Sequence, residues 1–248
     1  MGVTARPVTV REWLPLPHRP RVEPLAGAEV WKARLDRPVR DGWRGWLSAA
    51  ERERAAGFAD AGERRRYVVA HAALRSVLGG LCGVPPADVR ITAEKSGRPC
   101  LEDHDGVDFN LSHSGEWALV AVAPPGTRVG VDVERIRADL DHVELARRMY
   151  QPEEAERVRE RGLAEYFRLW TAKEAYVKAT GAGLAGLRGC LVTDTVTGCW
   201  VTDMGEGSAT VSSRSPDQEA WPVRFLDVAP GYAAALVTTA WTPAPRTG

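Results

Sequence analysis

Residues 164–183 read AEYFRLWTAKEAYVKATGAG, and the reading of the fold starts from them. Trp170, Glu174 and Lys178 fall at i, i+4 and i+8, so one helix face carries all three, with Phe167 and Gly181 close by. The glycines at the end of the stretch close the helix. Upstream, QPEEAERVRERG (151–162) starts another helix with Pro152 just inside its beginning. Downstream, GCLVTDTVTGCWVT (189–202) reads as strand and GYAAALVTTAW (231–241) as the closing strand.

The first half of the chain runs in the same order. SAAERERAAGF (48–58) is a short helix with a Ser N-cap. ERRRYVVAHAALRSVLGGLCG (63–83) follows, with Tyr67, Ala70, His71, Leu74, Val77, Leu78 and Leu81 at three- and four-residue steps. Gly79-Gly80 is expected to end that helix. VRITAEKSGRPCLE (89–102) is strand-like, and FNLSHSGEWALVAVA (109–123) reads as one buried strand. Helix, helix and strands thus recur, the long helices about a hundred residues apart, which predicts an α+β fold of two similar packed lobes. The N-terminal lobe is expected over 1–125, with 1–28 as an extended arm rich in Pro and Arg. The C-terminal lobe is expected over 126–248, frayed at 242–248.

Composition narrows the function. Lys+Arg and Asp+Glu are equal at 33 each, so no global basic field exists to collect nucleic acid or an anionic membrane surface. Hydrophobic residues make up 44% and charged residues 27%, the balance of a globular chain. No apolar run is long enough for a membrane span, and Arg6, Arg11 and Glu12 interrupt the N-terminus before a signal sequence forms. Cys82, Cys100, Cys190 and Cys199 form no CxxC pair and no zinc spacing, which fits reduced thiols and a cytoplasmic protein.

Three clusters carry chemistry. In VGVDVERIR (129–137), strand alternation puts Asp132 and Glu134 on one face and Val131 and Val133 on the other. Two close carboxylates repel unless a cation lies between them, and hard oxygen ligands suit Mg²⁺. An exposed edge strand with solvated acids reads the same way. On the helix of 164–181, Glu174 and Lys178 lie beside the apolar Trp170. There Glu174 would complete a three-carboxylate site, and Lys178, with Lys173 as a second candidate, would meet phosphate oxygens. FNLSHSGEW (109–117) offers Ser112, His113 and Ser114 with backbone amides in a turn, a small nest for an anion. It contains no G-x-S-x-G elbow of a serine hydrolase.

Taken in order, Asn110–Gly115, Gly130–Glu134 and Trp170–Lys178 resemble the three signature blocks of the Sfp-type 4′-phosphopantetheinyl transferases, N-x-SHSG, G-(I/V)-D-(I/V)-E and W-(S/T)-x-KE-(A/S)-x-x-K. The resemblance runs from about Trp46 to Trp241. It implies two lobes related by a pseudo-twofold axis, with coenzyme A in the cleft between them. It implies Mg²⁺-dependent transfer of the phosphopantetheine arm to a serine of an apo acyl or peptidyl carrier protein, releasing adenosine 3′,5′-bisphosphate. By the same resemblance Asp132, Glu134 and Glu174 hold Mg²⁺, Lys178 neutralises phosphate, and Ser112 and His113 meet the nucleotide end of coenzyme A. SGRP (96–99) is similar to the family's G-K-P turn, with Arg98 in place of lysine as a phosphate grip; Arg54 and Arg66 stand where the family has basic nucleotide contacts. The doubled length points to a monomer, unlike the short trimeric carrier-protein synthases. The base that activates the acceptor serine is either Glu174 or a water held by a carboxylate. Glu154, just after Pro152, either joins that network or stabilises its own helix N-terminus. The carrier surface is expected around Ile136–Glu154. Two other classes remain at this stage: a silent binding module, and a nucleotide hydrolase, which lacks a P-loop here.

Overall fold

The chain opens on β1 (Thr9–Glu12) and β2 (Glu29–Arg34), which pair in parallel. Then come α1 (Trp43–Trp46), α2 (Ala49–Ala56) and α3 (Ala61–Cys82). A small hairpin, β3 (Ile91–Ala93) and β4 (Pro99–Leu101), precedes β5 (Asp108–Ser114) and β6 (Trp117–Ala123). The second half has β7 (Val129–Arg135), α4 (His142–Met149), α5 (Pro152–Arg161), α6 (Leu163–Thr180) and α7 (Ala185–Gly189). β8 (Cys190–Asp194), β9 (Ser208–Ser213), β10 (Trp221–Phe225) and β11 (Tyr232–Thr238) close it. This computed structural model describes residues 8–14, 25, 27–102, 106–183, 185–194, 208–213 and 220–239. The expected frayed tail and the predicted strand beyond Asp194 lie outside them. Among the described residues no helix is long and apolar enough to cross a membrane.

Local chemistry sets the helix starts. Ser48 Oγ accepts from Glu51 N and Glu51 Oε2 accepts from Ser48 N, a capping box that opens α2. Asp60 caps α3 by accepting from Glu63 N. The predicted stop at Gly79-Gly80 does not occur. α3 runs through both glycines to Cys82 and ends on Gly83, at φ 71°. Gly79 is buried, and the packing of the apolar face of α3 offsets the roughly 1 kcal/mol that glycine costs inside a helix.

Two larger sheets result among the described residues, ordered β1-β2-β6-β5 and β7-β11-β10-β9-β8, beside the two-stranded β3-β4 pair, in a mixed α+β fold. The stretch expected as one strand, 109–123, is a hairpin: Ser114 pairs with Trp117 across a two-residue turn at Gly115, φ 55°. The expected extended arm contributes β1, an exposed edge of the first sheet. Along β6, Ala118, Val120 and Val122 join the core shared with α3, whereas Leu119, Ala121 and Ala123 face Val129, Val131 and Val133 of β7. β11 splits likewise, with Ala235 and Val237 in the core containing α6 residues and Ala234 and Leu236 against the first sheet. The central strands are therefore buried on both faces, which is why their sequences are continuously apolar.

Candidate active site

Gly130 brings α6 down onto β7. A Cβ there would stand 1.9 Å from the Ala175 carbonyl oxygen, so only glycine permits this approach. Val129, Val131 and Val133 fill the core between the sheets, and Asp132 and Glu134 take the opposite face, as the alternation predicts. Between Leu169 and Ala179 every residue of α6 is buried except Trp170, Glu174 and Lys178. That open line meets the acidic face of β7. Leu111, Ser112, His113, Asp132, Glu134, Trp170, Glu174 and Lys178 line one pocket of about 310 Å³.

Inside the pocket, Lys178 Nζ donates to Asp132 Oδ1 at 2.6 Å and to Ser112 Oγ at 3.0 Å. Ser112 Oγ donates in turn to Asp132 Oδ1 at 2.8 Å. Asp132 Oδ2 is buried with no hydrogen-bond partner among the described residues. Ser114 Oγ donates to Glu134 Oε2 at 2.7 Å. Burial first, then the charge of Asp132, raises the Glu174 carboxyl above its ordinary value. Burial raises Glu134 likewise, with the Ser114 hydroxyl pulling the other way. A nearby cation would offset the cost of keeping such carboxylates charged. An orphaned carboxylate oxygen flanked by two destabilised carboxylates fits a hard divalent cation. Among the described residues no three acidic, His or Cys side chains close into a ready-made metal cluster. Magnesium needs none, since it keeps waters and shares substrate phosphates.

The remaining predicted residues fall in different places. His113 is the penultimate residue of β5, not a turn residue, and its ring is exposed at the pocket. Partial desolvation lowers its imidazole pKa, and repulsion from His71, Lys178 and Arg66 lowers it further. Arg66 is half-buried on α3, and Arg54 is exposed on α2 near Tyr67. Arg98, expected as a phosphate grip, is turned inward. Its guanidinium holds Asp108 through two bonds of 2.5 and 2.7 Å and donates to the carbonyls of Lys178, Phe109 and Val129. Lys173 is also corrected: it is wholly buried, 2.7 Å from the equally buried Glu154, and donates to the Leu187 and Cys190 carbonyls. It has no path to a phosphate. Glu154 accepts from Gln151 N at the start of α5 and from Val192 N, so it caps its helix and stays out of the pocket.

One feature of the site was not anticipated. β7 offers its outer N–H groups to side chains of β5: Val129 N to Asp108 Oδ2, Val131 N to Asn110 Oδ1, Val133 N to Ser112 Oγ and Arg135 N to Ser114 Oγ. Four side chains at every second position thus replace the carbonyls of a neighbouring strand. The alternation D-x-N-x-S-x-S was the available signal, since it points one polar row sideways off a strand. Glu51 is a second surprise, joining His71 Nδ1 at 2.9 Å and Arg75 Nε at 2.6 Å in the first half.

Carboxylates and a lysine converging on one pocket suit the binding of a cation and of phosphate groups. Residues 128–237 match the model of the 4′-phosphopantetheinyl transferase superfamily, and residues 37–125 match that of the 4′-phosphopantetheinyl transferase N-terminal region. The chain belongs to this family and is a transferase of phosphopantetheine. It is 40% identical over 186 residues to the 4′-phosphopantetheinyl transferase HetI of Nostoc sp., covering 71% of this chain and 77% of HetI. It is 31% identical to psf-1 of Bacillus pumilus, covering 78% and 79% of the two chains. With Sfp of Bacillus subtilis the identity is 25%, over 63% of this chain and 72% of Sfp.

Proposed function

We propose that this chain transfers the phosphopantetheine arm of coenzyme A to a serine hydroxyl of an apo acyl or peptidyl carrier protein, with Asp132, Glu134 and Glu174 holding Mg²⁺. The observation that carries the reading is the orphaned Asp132 Oδ2 in a pocket shared with Glu134, Glu174 and Lys178. When bound, the ion supplies positive charge to the pyrophosphate oxygens. In the reaction the serine oxygen bonds to the β-phosphorus of coenzyme A, the serine proton leaves, and the bond to adenosine 3′,5′-bisphosphate breaks. Glu174, which lines the pocket, or a water held by the pocket's carboxylates takes that proton. Lys178 faces the charge that builds on the phosphate, where electrostatic stabilisation contributes most. His113, Arg66 and Arg54 receive the nucleotide end, the two arginines supplying positive charge and the His113 ring a hydrogen-bond donor for the 3′-phosphate. Ser112 serves the site by holding Lys178 and Asp132 together.

The two halves, divided near 125/126, form related lobes about a pseudo-twofold axis with the site between them. Strands before and after this point fall in separate sheets, which supports the division, and the side-chain ladder from β5 to β7 and the shared core support the packing of one half on the other. The protein acts as a monomer, which static light scattering tests; a trimer would contradict it. Free thiols at Cys82, Cys100 and Cys190 fit a reducing cytoplasm.

Incubating the protein with Mg²⁺, a fluorescent coenzyme A and a panel of apo-carriers tests the reading. Labelling of a carrier serine that stops on chelation of the metal supports it. Binding of coenzyme A without labelling of any carrier marks a silent module, and release of the bisphosphate with no carrier present marks a hydrolase; either result overturns it.

A further inference from the structure

Arg98 occupies a junction of four segments. Its own turn is pinned by Glu94 N donating to the Arg98 carbonyl at 2.8 Å and Gly97 N donating to the Glu94 carbonyl at 2.9 Å. From there the guanidinium crosses to the beginnings of β5 and β7, through Asp108, the Phe109 carbonyl and the Val129 carbonyl. Its Nε reaches the end of α6, donating to the backbone carbonyl of Lys178 at 2.9 Å. The turn also lies hard against that helix end, since a Cβ on Gly181 would meet Ser96 Oγ at 2.9 Å.

The last carbonyls of a helix lack partners within it, and an arginine bonded there offsets both the missing bond and the negative end of the dipole. Here the carbonyl belongs to the residue whose ammonium group meets Asp132 and Ser112. We propose that Arg98 is a positioning residue, its guanidinium fixing the last turn of α6 so that the Lys178 ammonium stands at the pocket and not itself gripping a phosphate, although the turn that carries it lines a pocket beside Glu174 and Lys178. This rests on the function proposed above, in which Lys178 faces the pyrophosphate. A lysine at 98 would keep the charge for Asp108, yet it lacks the planar fork that serves Asp108 and the Lys178 carbonyl together.

The test is a binding cycle by calorimetry on the full chain, with R98K, K178A and R98K/K178A, using coenzyme A and 3′-dephospho-coenzyme A. R98K is expected to weaken both ligands by about tenfold when Lys178 is present, and by less than about twofold in the K178A background. Equal losses in both backgrounds would show that Arg98 does not act through Lys178. A loss confined to the ligand carrying the 3′-phosphate would restore the direct grip, and no loss at all would remove the role. Thermal unfolding accompanies each variant. If R98K does not fold, R98Q/D108N replaces it, keeping an acceptor for Val129 N while removing both the buried and the partly buried charge, with the same expected losses in the two backgrounds. Failure of the wild type to bind coenzyme A would overturn the function itself, whereas normal wild-type binding with an additive cycle would overturn only the positioning role.

Discussion

Two lysines five residues apart on one helix, each joined to a carboxylate, have opposite surroundings. Lys173 and Glu154 are sealed, both with no exposed side-chain surface, and every partner of Lys173 is internal. Lys178 is about a quarter exposed, with side-chain exposure of 28%, and its partner Asp132 keeps one oxygen unpaired. Five residues turn a helix by about 140°, enough to carry a side chain from the core to the pocket. A lysine–carboxylate pair is thus sealed in the core on one face of α6 and open to the pocket on the other. What separates them is whether the carboxylate is fully partnered: Glu154 accepts from two backbone amides as well as from its lysine, and Asp132 Oδ2 accepts from nothing described.

The largest effect should come from opening the sealed pair. Lys173→Met strands a buried carboxylate and is expected to lower the unfolding free energy by about 3–5 kcal/mol, measured in urea. Adding Glu154→Gln should recover much of that loss. A folded, fully stable Lys173→Met protein would erase the distinction. Lys178→Ala should do the reverse, lowering the rate of carrier labelling by about a hundredfold while the melting temperature moves only a few degrees. A comparable drop in stability for both variants would break the contrast.

A third pair tests the same idea through acid. Glu51, bonded to His71, Arg75 and Ser48 N, is held down from 4.5 to about 2 by those partners against the opposing effect of burial. A depressed carboxylate stabilises the fold fully above its unfolded value and loses that contribution as pH falls through its folded value. Stability should therefore decline between about pH 4.5 and pH 2, and Glu51→Gln should remove about 2 kcal/mol of that decline. An unchanged acid limb in Glu51→Gln would mean that the pair contributes nothing. The smallest effect belongs to the pocket. His113→Ala should weaken coenzyme A about tenfold and 3′-dephospho-coenzyme A hardly at all, by calorimetry. Parallel losses for the two ligands would leave His113 with a shaping role only.

Much of this was legible in the sequence. The capped helices, the alternation of Asp132 and Glu134 and the i, i+4, i+8 row of Trp170, Glu174 and Lys178 all rest on local periodicity, and each fell where it was read. The misreadings share a cause in tertiary packing. The apolar run of β6 has no alternation because both of its faces are buried, so nothing but Gly115 marked the turn before it. Gly79-Gly80 looked like a stop because the glycines themselves favour one, and the burial of α3 that carries the helix through them is a tertiary effect. Lys173 and Arg98 carry charges that suit a phosphate equally well, and only the surrounding carbonyls show that both point inward. The row Asp108, Asn110, Ser112 and Ser114 was visible, but its partner amides on β7 were not.

That row has a consequence for how such a protein changes over time. An ordinary ladder between strands uses backbone atoms, which every residue but proline supplies alike, so substitution scarcely alters it. Here the rungs are an aspartate, an asparagine and two serines, and each is specified by its own codon. One nucleotide change can weaken, strengthen or delete a single rung and leave the main chain of both strands intact. The join between the two sheets is thus inherited rung by rung and open to selection at each one, and two of its rungs, Ser112 and Ser114, also hold the carboxylates of the pocket.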